Sequence, residues 1–144
     1  MRVGPDQLKY VAGSQPVALV ILAKAYVRPG GLDWEPLAVT EGASVVAVVV
    51  LAHASTHTEL LHLAVDVVQQ GRGLGSAAVE LLVAHVVETR PDAEAVRLTV
   101  HPENDHAQRL YRNHGFLPTG DVRDGEPIWS LNLSRPAAAR GGCR

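Results

Sequence analysis

The sequence predicts an α/β (α+β) fold with a mixed sheet, and three observations carry that expectation. Short β-branched and apolar runs separated by turns fill the chain from Leu37 to Val68, the pattern of an antiparallel meander. The stretch Leu60–Val87 then passes without a break from an apolar run to a glycine-rich turn to an amphipathic helix. A further alternating segment begins at Glu94, which completes a β-α-β unit with parallel strands. A chain of 144 residues suits one domain, burying about two-thirds of its unfolded surface.

Each element follows from local signals. Val17–Tyr26 lies between Pro16 and Arg28-Pro29-Gly30-Gly31; its length and stop signals read as a helix, while its Val and Ile content also allows a strand. Leu32–Pro36 reads as a surface loop leading into the sheet. Leu37–Thr40, the turn Glu41–Ser44 and the run Val45–His53 predict a hairpin, and Ser55–Thr58 separates it from the strand that starts at Leu60 and runs towards Val68. Gly71, Gly73 and Gly75 form the turn, and Ser76 is expected to cap a helix carrying Val79, Leu82, Val83, Val86 and Val87 at helical spacing. Glu94–His101 alternates as a strand. Pro102–Gly115 reads as a second helix with Ala107, Leu110 and Tyr111 on one stripe and Gly115 at its C′ position. Phe116 begins a short strand, Gly120–Pro127 is a polar turn region, and Ile128–Leu133 alternates as the last strand. Residues 134–144 carry no apolar pattern, so the expected domain is 1–133 followed by a disordered tail.

Composition excludes several function classes. The net charge is −2, which argues against a nucleic-acid partner, because that partner selects a basic patch. The one cysteine, Cys143, sits beside the C-terminus; no disulfide framework is expected, and a nucleophile there would be hard to hold in place. The apolar runs Val17–Ala23 and Val45–Ala52 fall short of the roughly 20 residues that span a bilayer, and the N-terminal residues lack a signal layout. The expectation is a cytoplasmic protein with no membrane partner.

A strand that feeds a glycine turn at a helix N-terminus is an anion site, because backbone N–H groups and the positive end of the helix dipole converge there. The P-loop is excluded, since no Lys follows these glycines, and the dinucleotide fingerprint is excluded by G-x-G-x-G spacing. What remains is Gln70-Gly71-Arg72-Gly73-Leu74-Gly75, which resembles the acyl-CoA pyrophosphate loop of the GNAT superfamily of N-acetyltransferases. A second stretch, Asn104 to Phe116, is similar at every fixed position to the N-x-x-A-x-x-L-Y-x-x-x-G-F signature that follows the fifth strand in those enzymes. One helix and one strand fit between the two motifs, as that family requires. The resemblance covers Leu37–Leu133 and implies a GNAT fold: six to seven strands, about four flanking helices and a V-shaped splay between strands 4 and 5. Within the family, Ala25–Val27, Val100–Asn104, Pro118–Gly120 and Asp124–Glu126 resemble a branch of bacterial diamine and polyamine acetyltransferases.

The resemblance implies an acetyl-CoA-dependent N-acetyltransferase that acetylates a primary amine, a small molecule such as a polyamine, by direct attack in a ternary complex. An enzyme acting on protein N-termini or lysines, or a non-catalytic CoA-binding protein, is the alternative. The N–H groups of Gln70, Gly71, Arg72, Gly73, Leu74, Gly75 and Ser76 would hold the pyrophosphate, with the Arg72 charge at the rim. Backbone groups at Leu63 and Val65, with Val67 closer to the loop, would pair with the pantetheine arm, and an N–H near Val65 would polarise the acetyl carbonyl. Tyr111 would protonate the leaving thiolate, and Asn104 would contact the arm, cap its helix, or do both. For the general base, Glu59, His62 and ordered water stay open; strand alternation sets His62 on the same face as Asp66 and opposite Val65. Asp33, Glu35 and Glu41 could bind a cationic amine or be solvated loop residues. His85, His101, His106 and His114 lack metal-ligand spacing, so no metal is expected. A homodimer is compatible with the family.

Overall fold

Strands β1 (Asp33–Glu41), β2 (Ser44–His53) and β3 (His57–Val65) form the antiparallel meander. The computed structural model describes residues 32–71 and 73–133. The helix expected over Val17–Tyr26, Arg72, the Val67 side chain and the 134–144 tail lie outside the described residues. Helix α1 (Leu74–Thr89) leads to β4 (Ala95–Thr99), α2 (Asp105–Asn113), β5 (Leu117–Arg123) and β6 (Glu126–Asn132). The sheet order is β1-β2-β3-β4-β6-β5, mixed because β3 and β4 run parallel while every other neighbouring pair is antiparallel. Six strands and two α-helices thus lie among the described residues, and no described helix is long and apolar enough to cross a membrane.

Several boundaries differ from the sequence expectation. β3 starts at His57, inside the expected Ser55–Thr58 connection and ahead of Leu60, because His57, Thr58 and Glu59 pair with β4. Residues expected as a loop before Leu37 are strand, because the long β2 pairs as far as Asp33↔His53. Pro36 is tolerated there since β1 ends the described sheet and its missing N–H breaks no ladder bond on the outer side. β3 stops at Val65: the Gln69 N–H donates to the Asp66 carbonyl at 2.9 Å, and Val67–Gln69 becomes a 3-10 turn, so Val67 is off the strand. α1 begins before Ser76, with Gly73 as its N-cap at φ +74° and no side-chain cap. Lastly, the polar region after Gly120 is mostly strand, reversed at Asp124 and Gly125 with φ +52° and +81°.

The main core lies on one face of the sheet. Val49 and Leu51 of β2, Leu60 of β3, Val96 and Leu98 of β4 and Trp129 of β6 cluster there with Ala78, Val79, Leu82 and Val86 of α1 and Tyr111 of α2. The apolar stripe of α1 is the one its spacing predicts. Two irregularities in β3 shape everything that follows. The pairing of Val50 with His62 and of Leu51 with Leu60 leaves Leu61 as an extra residue, a β-bulge. Strict alternation would put Glu59 and His62 on opposite faces; the bulge puts both on the face away from α1 and α2, since their partners Ala52 and Val50 share that face. The second irregularity is a parting of strands: β3 pairs β4 only at His57↔Ala95, Thr58↔Val96 and Glu59↔Arg97. Beyond Glu59 the two strands diverge, which is the expected V-shaped splay, here between β3 and β4.

Candidate active site

The glycine loop closes the wide end of the V. Gly71 and Gly73 have φ of +83° and +74°, conformations that side chains rarely adopt, and a Cβ on either would meet no atom within 4 Å. Both therefore expose backbone to open space. At the start of α1 the N–H groups of Leu74, Gly75 and Ser76 have no carbonyl one turn back, and no acidic residue lies in the first turn. Gly75 packs against α2, its Cβ position 3.5 Å from Leu110 Cδ2. The Gln70 side chain folds back so that Nε2 donates to the Val65 carbonyl at 3.2 Å, bracing the turn against the end of β3.

Ser76 does not cap α1. Its hydroxyl is 2.7 Å from His114 Nε2, at the C-cap of α2, so the two helix ends beside the loop are joined by one hydrogen bond. Asn104 is the N-cap of α2: its Oδ1 accepts from the Ala107 N–H at 3.2 Å. Its amide nitrogen is the group left to meet a ligand. Gly115 follows α2 at φ +91°, the left-handed C′ residue that the sequence predicts.

Tyr111 faces inward from α2. It is 9% exposed and stacks edge-on against Phe116, with ring centroids 5.6 Å apart. Burial pushes its hydroxyl pKa up, so the proton stays on the phenol throughout the neutral range. Leu63 and Val65 lie past the last β3–β4 pair, on the stretch of β3 that β4 does not cover.

Glu59 and His62 share the far face. Glu59 is 7% exposed, and its Oε1 accepts from Arg123 Nη1 at 2.7 Å and lies 3.4 Å from His57 Nε2. His62 is half-buried with Nδ1 shielded from solvent. No local pattern pointed to Arg123, which lies 64 residues from Glu59, or to the contact between Ser76 and His114. Among the acids considered for acceptor binding, Glu35 is committed elsewhere: Oε1 accepts from His53 Nε2 at 2.7 Å and Oε2 from His85 Nε2 at 3.0 Å. His53 Nδ1 is 2.9 Å from Thr58 Oγ1, so both ring nitrogens have a partner. Asp33 pairs with Arg90 at 3.5 Å. No group of three or more His, Cys, Asp or Glu side chains suited to a metal ion occurs among the described residues.

Comparison with known proteins agrees with this geometry. Residues 15–116 match the model of the acetyltransferase (GNAT) family. No curated protein sequence matches the chain. Among solved structures, the ribosomal-protein-S18-alanine N-acetyltransferase of Escherichia coli superposes with a TM-score of 0.64 at 23% identity, over 79% of this chain and 78% of that one. A GNAT family acetyltransferase from Elizabethkingia anophelis with acetyl-CoA bound gives 0.67 at 14% identity, over 92% of each chain. The aminoglycoside acetyltransferase AAC(6')-Ib in complex with coenzyme A gives 0.71 at 17%, over 90% and 84%. With both motifs reaching into the matched span and the sheet parting in front of the glycine loop, the chain belongs to the GNAT family of N-acetyltransferases.

Proposed function

We propose that this protein transfers the acetyl group of acetyl-CoA to a primary amine on a small cationic molecule, with a polyamine as the first acceptor to test, by direct attack in a ternary complex. The observation that carries the reading is the parting of β3 and β4 after Glu59↔Arg97, in front of a loop whose N–H groups lack side-chain partners at the start of α1. A slot between strands with an anion site at its wide end suits a long arm that ends in phosphates.

Acetyl-CoA supplies a thioester carbonyl and a thiol leaving group when bound. The backbone from Gln70 to Ser76 would hold the pyrophosphate, aided by the Arg72 charge, while the uncovered edge at Leu63 and Val65 would pair with the arm and polarise the carbonyl. The arm then points from the loop towards the apex of the V. There the amine nitrogen bonds to the carbonyl carbon and the carbon–sulfur bond breaks; one proton leaves the nitrogen and one reaches the sulfur. Glu59 and His62, on the far face near the apex, are the proposed routes for the first proton, directly or through water. Tyr111 is the proposed source of the second, and Asn104 would steady the arm through its amide nitrogen.

Calorimetric titration with acetyl-CoA tests the cofactor half of this reading, beside a Gly73→Glu variant. At φ +74° a side chain is strained, and a carboxylate there repels phosphate. Micromolar binding by the wild type and a loss of at least about 100-fold in the variant are expected. A wild type that does not bind acetyl-CoA would overturn the proposal.

A further inference from the structure

We propose that Arg123 occupies the subsite for the acceptor's cation, so that Glu59 holds an internal guanidinium until a substrate ammonium displaces it. The inference rests on the amine-acetylating reading above and adds a residue that decides which acceptors enter.

The contact is unusual for its position in the sheet. β5 is the terminal strand, and β6 and β4 lie between it and β3. Strand spacing of about 4.8 Å puts β5 some 14 Å from β3, beyond the reach of an arginine lying flat. Arg123 Nη1 is nonetheless 2.7 Å from Glu59 Oε1. β6 starts beside Thr99 and Val100, past the last β3–β4 pair, so the end of the β5–β6 hairpin must curve back over the parted strands to bring the guanidinium to Glu59 at the apex of the V. Its own hairpin offers Asp121, Asp124 and Glu126, yet the guanidinium sits on Glu59.

Physical chemistry gives each partner a different character. Glu59 is the one buried carboxylate among the described residues, and a buried carboxylate requires a cation or several donors. Its other partner, His57, is at a long 3.4 Å. Arg123 is its opposite, with a side chain 41% exposed on a strand that is exposed throughout and pairs with β6 near that end only at Val122↔Pro127 and Arg123↔Glu126. Moving it away exposes little apolar surface. An incoming primary ammonium offers Glu59 the same charge and up to three donors, and the exchange brings the substrate nitrogen to the point where the strands part. While paired with Arg123, Glu59 has its Oε1 occupied by the guanidinium, so that oxygen meets a substrate N–H only after Arg123 leaves. Displacement would join acceptor binding to release of the base: the ammonium gives one proton to Glu59 and becomes the free amine that attacks the carbonyl carbon, and its second proton leaves as the carbon–sulfur bond breaks and the thiolate is protonated.

The test compares acetyl transfer from acetyl-CoA to spermidine, read as thiol release, in the wild type, Arg123→Gln and Arg123→Lys, with acetyl-CoA affinity and thermal unfolding measured on each. Removing the competitor lowers the spermidine KM roughly fivefold, the factor that a pair of about 1 kcal/mol would impose, and Arg123→Lys restores KM towards the wild-type value. Acetyl-CoA affinity stays the same. A KM that is unchanged or higher in a folded Arg123→Gln overturns the inference and leaves the amine reading intact. If the wild type acetylates neither spermidine nor any other primary amine tested, including a diamine and an alanine-initiated peptide, at a measurable rate, the amine reading itself fails and takes this one with it.

Discussion

At the scale of single residues, Tyr111 has a packing role in the structure and a proposed chemical one. Its ring closes the core against Phe116, and the same burial keeps its hydroxyl protonated. Tyr111→Phe preserves the ring and removes only the proton, so unfolding should shift little while kcat for thiol release falls by about 100-fold; steady-state kinetics beside thermal unfolding checks both. A variant with full kcat would return Tyr111 to a packing role alone. Residue identity was readable here because the Asn104–Phe116 signature is local and helical spacing puts Tyr111 on the inward stripe. Arg123 and His114 were not readable. Their partners, Glu59 and Ser76, come from distant parts of the chain, and nothing in local patterning links them.

Among elements, the turns that end α2 and shape β3 matter most. Gly115 must take φ +91°, and a Cβ there would lie 3.2 Å from Leu131 Cδ1 of β6. Gly115→Ala should therefore cost about 1–2 kcal/mol, from left-handed strain plus a tight contact, visible as a lower denaturation midpoint with an unchanged m-value. The sequence placed this glycine correctly, as it did the meander, the parallel crossover and the stripe of α1, because each depends on period and turn chemistry. It misplaced the starts of β1 and α1 and the ends of β3 and the final turn. A pattern cannot tell where a partner strand stops pairing, and Leu61 looks like any other apolar residue until β2 is set beside it.

For the molecule as a whole, the Glu35 network ties β1, β2 and α1 together at the end of β2 away from the glycine loop. Burial alone would raise the Glu35 carboxyl, but hydrogen bonds from His53 and His85, reinforced by their charge, outweigh it and hold the value below the usual carboxylate range. A carboxyl whose pKa is lowered by folding adds stability above its unfolded value and loses it as pH falls through the folded one. Glu35→Gln should thus cost about 1–2 kcal/mol near neutrality, with the gap to wild type closing in acid, as urea titrations across that range would reveal. Identical midpoints at pH 7 would show the network to be inert. A different linkage begins at Gly73. Because α1 starts on a glycine with no side-chain cap, the proposed acyl donor would finish the helix with its phosphates where the polypeptide supplies nothing. Folding and occupancy would then share one equilibrium, and the melting temperature would become a gauge of how much acyl donor surrounds the protein.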